Sequence, residues 1–265
     1  MNRISYCFKD GKHKVVTFSY DDGRVEDRQL VGLFNKYDLK STFHLNAGLL
    51  EMEARIGGDE IKNLYEGHEV SAHTYTHPTI ERSPKEEVIF EIMEDRRCLE
   101  ALVGYPVRGM SYPNGSYSNE IVEMLPHLGI EYARVVGGHH TYQMPRNYHL
   151  WQATCHHNKD GLKHAKAFVD LHKTQYLYML YIWGHSYEFT NDNNWAYMEE
   201  ICETVANQED TWYATNIEIV DYTNAVKSLK YNAARTQVHN PSSQSVWLKV
   251  NDQPIEVIGG ELKEL

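Results

Sequence analysis

Short β-rich runs alternate with amphipathic helical patterns along most of the chain, and this alternation is the feature that most constrains its fold. The run 14–20 is rich in β-branched and aromatic residues, and apolar residues then recur at helical spacing through 25–37. Further strands are predicted at 41–46, 69–73, 109–112, 132–136 and 176–183, and further helices at 60–66, 85–102, 120–128, 161–173 and 195–208. Strand and helix alternating about six times is typical of an α/β fold with a mainly parallel sheet.

Residues 231–265 form a tail of different character. Two short β-rich runs, 245–250 and 254–258, flank an Asn-Asp-Gln turn and predict a β-hairpin. No long linker rich in Gly, Ser or Pro precedes residue 230, and 265 residues suit one large domain. We therefore expect a single domain in which the hairpin serves as structural cover or as a contact between copies of the chain in a homo-oligomer, with substrate contact as the alternative.

The composition excludes several classes of protein. Lys and Arg number 26 against 37 Asp and Glu, and a net charge of −11 argues against sequence-independent binding to nucleic acid. The four cysteines show no CxxC spacing, which predicts reduced thiols rather than a zinc finger. No run reaches the ~18 apolar residues of a membrane span, and the N-terminus lacks the apolar core of a secretory signal. We expect a cytoplasmic protein without a membrane partner.

Titratable side chains follow two of the predicted strands. Asp21 and Asp22 come directly after the first strand, in an Asp-Gly turn, and His73 and His77 follow the third. An Asp-Gly turn is common by itself, and a lone H-x-x-x-H is a weak signal. Together, one carboxylate and two imidazoles make a metal-ligand set with open positions, the form that a hydrolytic site needs. Asp22 is the natural third ligand, which leaves Asp21 free to act as a base.

A third segment combines a cation, a tight turn and two aromatic side chains after a predicted strand. Arg108 is followed by Tyr112, by the turn residues Pro113 and Asn114, and by Tyr117. Such a turn can aim backbone N–H groups and an aromatic wall at a substrate. These five residues are therefore candidates for substrate binding.

Two further roles are assigned to side chains near these segments. Arg108 is a candidate to keep Asp21 ionised through a charge-assisted hydrogen bond. His185 emerges from an apolar strand two residues after Trp183, where a histidine is more often a core residue than a catalytic one. Sugar stacking would use Trp183, Tyr75 and the tyrosines of the third segment, although each is more often a packing residue.

The order of these segments resembles the polysaccharide deacetylase family, carbohydrate esterase family four, with its NodB-like homology domain. T-F-S-Y-D-D-G at 17–23 is similar to the first family motif, T-F-D-D-G, and H-T-Y-T-H at 73–77 is similar to the second, H-[ST]-x-x-H. P-N-G at 113–115 resembles the third motif, and I-W-G-H at 182–185 resembles the last. The resemblance covers roughly residues 14–220, in the family's order.

The resemblance implies a distorted, incomplete (β/α) barrel over residues 1–230, with the hairpin tail as a short extension. It also implies a divalent metal, most often zinc, whose ligands would be Asp22, His73 and His77. Asp21 would be the general base for water activated by the metal, and His185 would be the general acid that protonates the leaving group. The family removes N- or O-linked acetyl groups from glycans, so an acetylated saccharide or a small acetylated molecule is the expected substrate.

The chain departs from the family pattern in its later motifs. Arg108 lies five residues before Pro113, whereas Ser111 stands nearer the position of the family's arginine. The family's fourth motif supplies an Asp that orients the catalytic histidine near a Trp, and no Asp lies beside Trp151. The carboxylate partner of His185 is therefore left open.

These departures keep three functions in view. A metal-dependent carbohydrate deacetylase is the leading hypothesis. An amide or ester hydrolase acting on a small molecule other than a glycan is the first alternative, and a non-catalytic glycan-binding protein with the same fold is the second. Turnover of a generic acetyl ester, and its loss in Asp21→Asn, would separate an enzyme from a binding protein.

Overall fold

A computed structural model describes residues 2–265, and regular elements occur throughout this range. The strands are β1 (Ile4–Cys7), β2 (Lys14–Asp21), β3 (Ser41–Leu45), β4 (Glu69–Ala72), β5 (Gly109–Ser111), β6 (Tyr132–Gly138), β7 (Trp151–Ala153), β8 (Cys155–His156), β9 (Tyr178–His185), β10 (Thr211–Tyr213), β11 (Lys230–Tyr231), β12 (Gln237–His239), β13 (Val246–Val250), β14 (Gln253–Val257) and β15 (Leu262–Glu264). The α-helices are α1 (Asp27–Lys36), α2 (Gly58–Leu64), α3 (Lys85–Val103), α4 (Asn119–Met124), α5 (Gly161–Val169), α6 (Tyr187–Asn191), α7 (Trp195–Val205) and α8 (Asn216–Ser228). Each strand and helix predicted from the alternation is present, with bounds that differ by a few residues. Within 2–265, no helix combines the length and the apolar character needed to cross a bilayer.

Parallel strands form the central sheet in the order β7-β6-β5-β4-β3-β2-β9-β8, and β10 pairs with the start of β2. All of β2 is buried, including the polar Lys14, Thr17, Ser19 and Asp21, because both faces of this central parallel strand are covered. Strands β7 and β8 are successive parts of one segment, and Thr154 between them donates its N–H to the carbonyl oxygen of Tyr181 in β9 at 2.8 Å. This segment therefore joins β6 to β9 and closes the sheet. The barrel is distorted because β4 and β5 share a single residue pair, Ala72 with Met110. The predicted fold, a distorted (β/α) barrel with extra C-terminal strands, is confirmed.

Helices pack on the outside of the barrel and return the chain to the start of each strand. Leu30 and Phe34 are buried on α1, and the ring of Phe34 lies 4.8 Å from that of Phe18 in β2. Helix α3 begins directly after Pro84 and ends at Gly104, whose φ of 81° is the left-handed conformation that terminates helices. Because the connections are of this kind, the carboxyl ends of the barrel strands lie on one side of the molecule.

The N-terminus of α8 closes the opposite end of the barrel. The backbone N–H of Ile217 and the hydroxyl of Thr42 both donate to Glu69 Oε2, at 2.9 and 2.8 Å. Burial raises the pKa of Glu69 to about 7. Sequence reasoning missed this helix, although Thr215 and Glu218 form a capping box at its start.

The predicted hairpin of the tail is confirmed as β13 and β14. Val250 pairs with Gln253, so Asn251 and Asp252 form a two-residue turn, and their φ values of 51° and 66° are those that a type I′ turn requires. Strand β1 extends the hairpin to three strands, and β11, β12 and β15 form a second small sheet. Leu248 shares a buried apolar cluster with residues of α8. That residues 1–230 and 231–265 form one domain stays a prediction, and this packing supports it.

Candidate active site

Polar side chains meet at the carboxyl end of the barrel. Asp21 ends β2, Ser111 ends β5 and His185 ends β9, while His73 follows β4. Asp21 and His185 also pair in register across the two adjacent strands. Barrels of this class place their active sites at this end. The structure therefore brings together Asp21, His73 and His185, which the sequence singled out, and adds Ser111 from a fourth strand.

Asp22, His73 and His77 form one cluster, whose ligand atoms lie within 4.8 Å of one another. Asp22 Oδ1 lies 3.7 Å from His77 Nε2 and 4.0 Å from His73 Nε2. The histidines lie in a turn and not in a helix, since Thr74 and His77 have φ values of 66° and 61°. Asp22 has a φ of 83°. Left-handed backbone at such residues costs conformational energy, so the surrounding hydrogen bonds must hold both turns.

The tautomer of His73 suits a metal ligand. Its Nδ1 lies 2.9 Å from the carbonyl oxygen of Ser111, which only accepts, so Nδ1 carries the proton and Nε2 presents a lone pair toward Asp22. Burial lowers the pKa of His73 to about 4, which keeps the ring neutral. A neutral imidazole whose second nitrogen donates to a carbonyl is the usual form of a metal-ligating histidine. One carboxylate and two imidazole nitrogens, those of His73 and His77, fit a divalent ion such as zinc.

Asp95, on the buried face of α3, supports the turn that carries His73. Its Oδ2 accepts from the backbone N–H of His73 at 2.8 Å, and its Oδ1 accepts from that of Ala47 at 2.6 Å. Sequence reasoning missed Asp95. The available signal was an acidic residue on the apolar face of the helix, between Ile92 and Leu99.

Replacing Asp95 with asparagine should lower the free energy of unfolding by about 1–3 kcal/mol, because the new NH₂ group must face one of two backbone N–H groups. The N–H of His73 also donates to the carbonyl oxygen of Leu45 at 2.9 Å, so the loss is larger where the NH₂ group faces Ala47. Since one of the two N–H groups belongs to His73, zinc binding should also weaken. Urea unfolding and zinc titration measure the two effects. The exposed Asp38 offers a matched control, and Asp38→Asn should change stability by less than about 0.5 kcal/mol. Equal effects of the two substitutions would contradict a supporting role for Asp95.

Asp21 is buried beside the cluster and forms an ion pair with Arg134. Ser111 Oγ donates to Asp21 Oδ1 at 3.1 Å, and Asp21 Oδ2 lies 3.8 Å from His73 Nε2. Burial alone would raise the pKa of Asp21, but the guanidinium of Arg134 and nearby imidazoles hold it well below its usual range. Asp21 is therefore a carboxylate at any pH near neutrality.

Arg108 does not make the contact with Asp21 expected from the sequence. It precedes β5, whereas the site lies at the other end of that strand, where Ser111 is. Its guanidinium donates to both oxygens of Asp221, at 2.8 and 2.7 Å, and to Glu131 at 2.9 Å. The prediction that Arg108 binds substrate at this site is therefore wrong in position, and Arg134 of β6 supplies the cation instead.

The third segment forms a turn at the same end of the barrel. Pro113 is buried, and Asn114 is exposed with a φ of 56°. Tyr112 is buried and its hydroxyl donates to the carbonyl oxygen of His149 at 2.8 Å, so its ring packs inside the protein and offers no stacking face. Tyr117 is partly exposed, and its ring lies 5.0 Å from that of Tyr112. Substrate contact by Pro113, Asn114 and Tyr117 stays a prediction.

Trp183 is also buried, which corrects its prediction as a sugar platform. Its indole N–H donates to the carbonyl oxygen of Gly137 at 2.8 Å, and the guanidinium of Arg134 lies 4.2 Å from the centre of its ring. A cation over the face of a tryptophan is attracted by the ring. Trp183 therefore positions Arg134, which in turn forms the ion pair with Asp21.

Glu188, at the start of α6, is the carboxylate partner of His185 that the sequence left open. Its Oε1 lies 3.5 Å from His185 Nδ1, and its Oε2 accepts from the backbone N–H of His185 at 3.1 Å. Burial lowers the pKa of His185, but Glu188 and the charges of Asp21 and Asp22 outweigh this and raise it above the usual value. Spacing alone offered no signal, because a glutamate three residues after a histidine is unremarkable.

A second group of possible ligands surrounds the same glutamate. Glu188 Oε2 lies 3.1 Å from His156 Nε2 and 3.2 Å from His157 Nε2. However, His156 Nδ1 accepts from the backbone N–H of Asn158, so a neutral ring carries its proton on Nε2 and donates it to Glu188. This arrangement fits a hydrogen bond better than a metal ligand. His156 thus contacts Glu188 beside His185, whereas neither ring nitrogen of His157 has a hydrogen-bond partner within residues 2–265.

Comparison with known proteins gives the same family as the motifs. Residues 8–133 match the family model described as polysaccharide deacetylase. A chitooligosaccharide deacetylase of Azorhizobium caulinodans is 32% identical over 66 residues, which are 24% of this chain and 31% of that protein. The chain thus spans about a third of the length of this curated relative.

Solved structures share the fold. A Mycobacterium smegmatis protein assigned to the polysaccharide deacetylases superposes with a TM-score of 0.63 at 15% identity, over 83% of this chain and 93% of that one. The Xyl-CE4 domain of a multidomain xylanase from the hindgut metagenome of Trinervitermes trinervoides gives a TM-score of 0.56 at 14% identity, over 80% and 92%. Residues 8–133 thus match the polysaccharide deacetylase family in sequence, and the chain shares its fold with these two structures.

Proposed function

We propose that this protein is a hydrolase that removes acetyl groups from a carbohydrate with the help of a divalent ion, expected to be zinc. The observation that carries the proposal is one group of strand ends that holds an ionised Asp21, a protonatable His185 and the cluster Asp22, His73 and His77. The family match supports the same activity. Probes with acetyl groups on nitrogen and on oxygen distinguish the two linkages.

Asp21 would act as the general base. Arg134 keeps it ionised, so it accepts a proton but is a weak base. A bound divalent ion supplies the Lewis acidity that compensates, because it lowers the pKa of water and draws electron density from the acetyl carbonyl. Ser111 Oγ holds one oxygen of Asp21 at 3.1 Å, and this contact fixes the carboxylate beside the cluster.

His185 would act as the general acid. Its raised pKa keeps a larger protonated fraction near neutral pH, and the carboxylate of Glu188 beside Nδ1 leaves Nε2 to donate. An amine that leaves an amide must receive a proton as the bond breaks, and an imidazolium is suited to this transfer. Base and acid thus come from two adjacent strands.

Removing the charge of Glu188 should shift the pH dependence of acetyl release. The acid must be protonated, so the wild-type rate falls as pH rises through the raised pKa of His185. Glu188→Gln removes a stabilising negative charge, lowers that pKa, and should move the alkaline limb to lower pH by about one unit or more. The kcat/KM profile from pH 5 to 10 measures it. Glu203→Gln, at an exposed glutamate, is the matched control, and an alkaline limb that stays in place in Glu188→Gln contradicts the assignment.

The proposed function is tested by acetate release from three probes: N-acetylglucosamine oligomers, acetylated xylooligosaccharides and an aryl acetate. Protein treated with chelator and protein reloaded with zinc are compared, together with His73→Ala and, as a control, the exposed His172→Ala. We expect release that needs zinc, survives His172→Ala and is lost in His73→Ala. Release that survives both chelation and His73→Ala would overturn the metal mechanism, and zinc binding without release from any probe would favour a glycan-binding protein.

A further inference from the structure

Three arginines lie beside the first motif, and they differ in their partners. Arg134 is paired with Asp21. Arg55 donates to the carbonyl oxygen of Asp22 and lies 3.7 Å from its carboxylate. Arg24, two residues after Asp22, forms neither a hydrogen bond nor an ion pair through its side chain within residues 2–265. Two of the cations therefore serve carboxylates of the protein itself, and the third is free to serve a ligand.

Arg24 is held at the mouth of the site by its backbone and by an aromatic ring. Its carbonyl oxygen accepts from Asp27 N–H at 2.9 Å, and its backbone bridges to that of Arg55. Its guanidinium lies 5.4 Å from the ring centre of Tyr187, and that ring lies 5.3 Å from the ring of His185. Arg24 therefore stands one aromatic ring away from the group proposed to protonate the leaving group.

The unpaired state of Arg24 carries a cost. Its Nε atom is buried and has no acceptor among the described residues, and a buried N–H without an acceptor costs about 1–3 kcal/mol. Both Arg24 and Tyr187 are only partly buried, so a ligand can reach them from the cleft. A guanidinium binds a carboxylate through two parallel hydrogen bonds, and the two Nη groups of Arg24, which unlike Nε are open to solvent, can supply both. A substrate carboxylate would thus provide the charged partner that the protein itself does not provide.

We propose that Arg24, stacked on Tyr187 beside His185, forms a subsite for a carboxylate, and that the preferred substrate is an acetylated glycan containing an acidic sugar. This inference rests on the proposed function, because it places the acidic group next to the acetyl group being removed. Because the ring of Tyr187 lies between Arg24 and His185, the carboxylate would belong to the sugar that carries the acetyl group or to the next sugar. The net charge of −11 disfavours anions elsewhere on this protein, so a local cation is needed to select them.

The kinetic test compares two tetrasaccharides, one of N-acetylglucosamine alone and one alternating N-acetylglucosamine with N-acetylmuramic acid, which carries a carboxylate. In the wild type, kcat/KM should favour the acidic substrate. Arg24→Gln should lower the ratio of kcat/KM for the acidic over the neutral substrate at least about tenfold, equivalent to one lost carboxylate contact. Arg146→Gln, at an exposed arginine without an ion pair in the described chain, should leave the ratio unchanged. A ratio that Arg24→Gln does not alter overturns the subsite.

A binding measurement separates failure of this inference from failure of the proposed function. Calorimetric titration with the deacetylated forms of both tetrasaccharides needs no turnover. Tighter binding of the acidic one, lost in Arg24→Gln and in Tyr187→Leu but kept in Tyr187→Phe, supports the subsite even if no acetate is released. Equal binding of both by the wild type contradicts it, and then acetate release from the neutral tetrasaccharide would still uphold the proposed function.

Discussion

Replacing Arg134 with methionine should lower the free energy of unfolding by about 3–5 kcal/mol at neutral pH, the range expected when one partner of a buried ion pair is removed. Arg134 is fully buried and the Asp21 side chain is 3% exposed, so the substitution leaves a carboxylate without its main partner or access to water. The hydroxyl of Ser111 remains as a donor to Asp21 but carries no charge. Urea unfolding followed by circular dichroism measures the loss.

The pH dependence of this loss identifies its cause. In the wild type, the depressed pKa of Asp21 stabilises the fold above the usual carboxyl range, and that contribution is lost as pH falls. In Arg134→Met, burial raises the pKa instead, so the ionised carboxylate costs stability near neutral pH and protonation relieves it. The difference between the two proteins should therefore shrink as pH falls toward 4. The double variant Arg134→Met with Asp21→Asn should recover most of the loss at neutral pH. No recovery would show that Arg134 acts mainly through packing on Trp183.

Asp21→Asn should reduce acetate release by about 10²–10⁴-fold, the contribution typical of a positioned general base. Asparagine keeps the shape and an acceptor for Arg134 but cannot take a proton. The cluster of Asp22, His73 and His77 is unchanged, so zinc binding should persist. Activity at saturating zinc and zinc content after dialysis measure the two properties on the same sample.

The neighbouring carboxylate provides the contrast. Asp22→Asn should weaken zinc binding, because its charged oxygen is one of the three ligand atoms of the cluster. Raising the zinc concentration should then restore part of the activity in Asp22→Asn and none in Asp21→Asn. Rescue of both variants, or of neither, would contradict the division of roles between the two adjacent residues.

Much of the site follows from local sequence because it lies at strand ends. The β-rich run of β2 predicts a strand, and polar residues at the end of such a strand must lie at one edge of a parallel sheet. This reasoning brings Asp21 and Asp22 together with His73 and His77 without any knowledge of side-chain positions. The same reasoning predicts the hairpin of the tail, although its turn consists of two residues, Asn251 and Asp252, because Gln253 already pairs with Val250.

The supporting charges could not be assigned in this way, because each depends on which strands become neighbours. Arg134 reaches Asp21 since β6 pairs with β5 in a register that sets Arg134 beside Ser111. A one-residue change of register would turn it to the other face of the sheet. Glu188 reaches His185 only through the short helix that follows β9. The prediction for Arg108 was wrong because the residue precedes β5, whereas the site lies at the other end of that strand. The strand itself was predicted correctly.

The most direct test of the account is a zinc titration of metal-free protein with acetate release as the readout. The cluster of Asp22, His73 and His77 predicts a rate that rises linearly to one equivalent of zinc and then stays constant. His73→Ala should show neither the rise nor tight binding of the first equivalent. A rate that needs two equivalents would assign a catalytic metal to the group around Glu188 as well, against the hydrogen-bonding role given to it here. Full activity before any zinc is added would contradict the central claim that acetyl release depends on a metal held by these three residues.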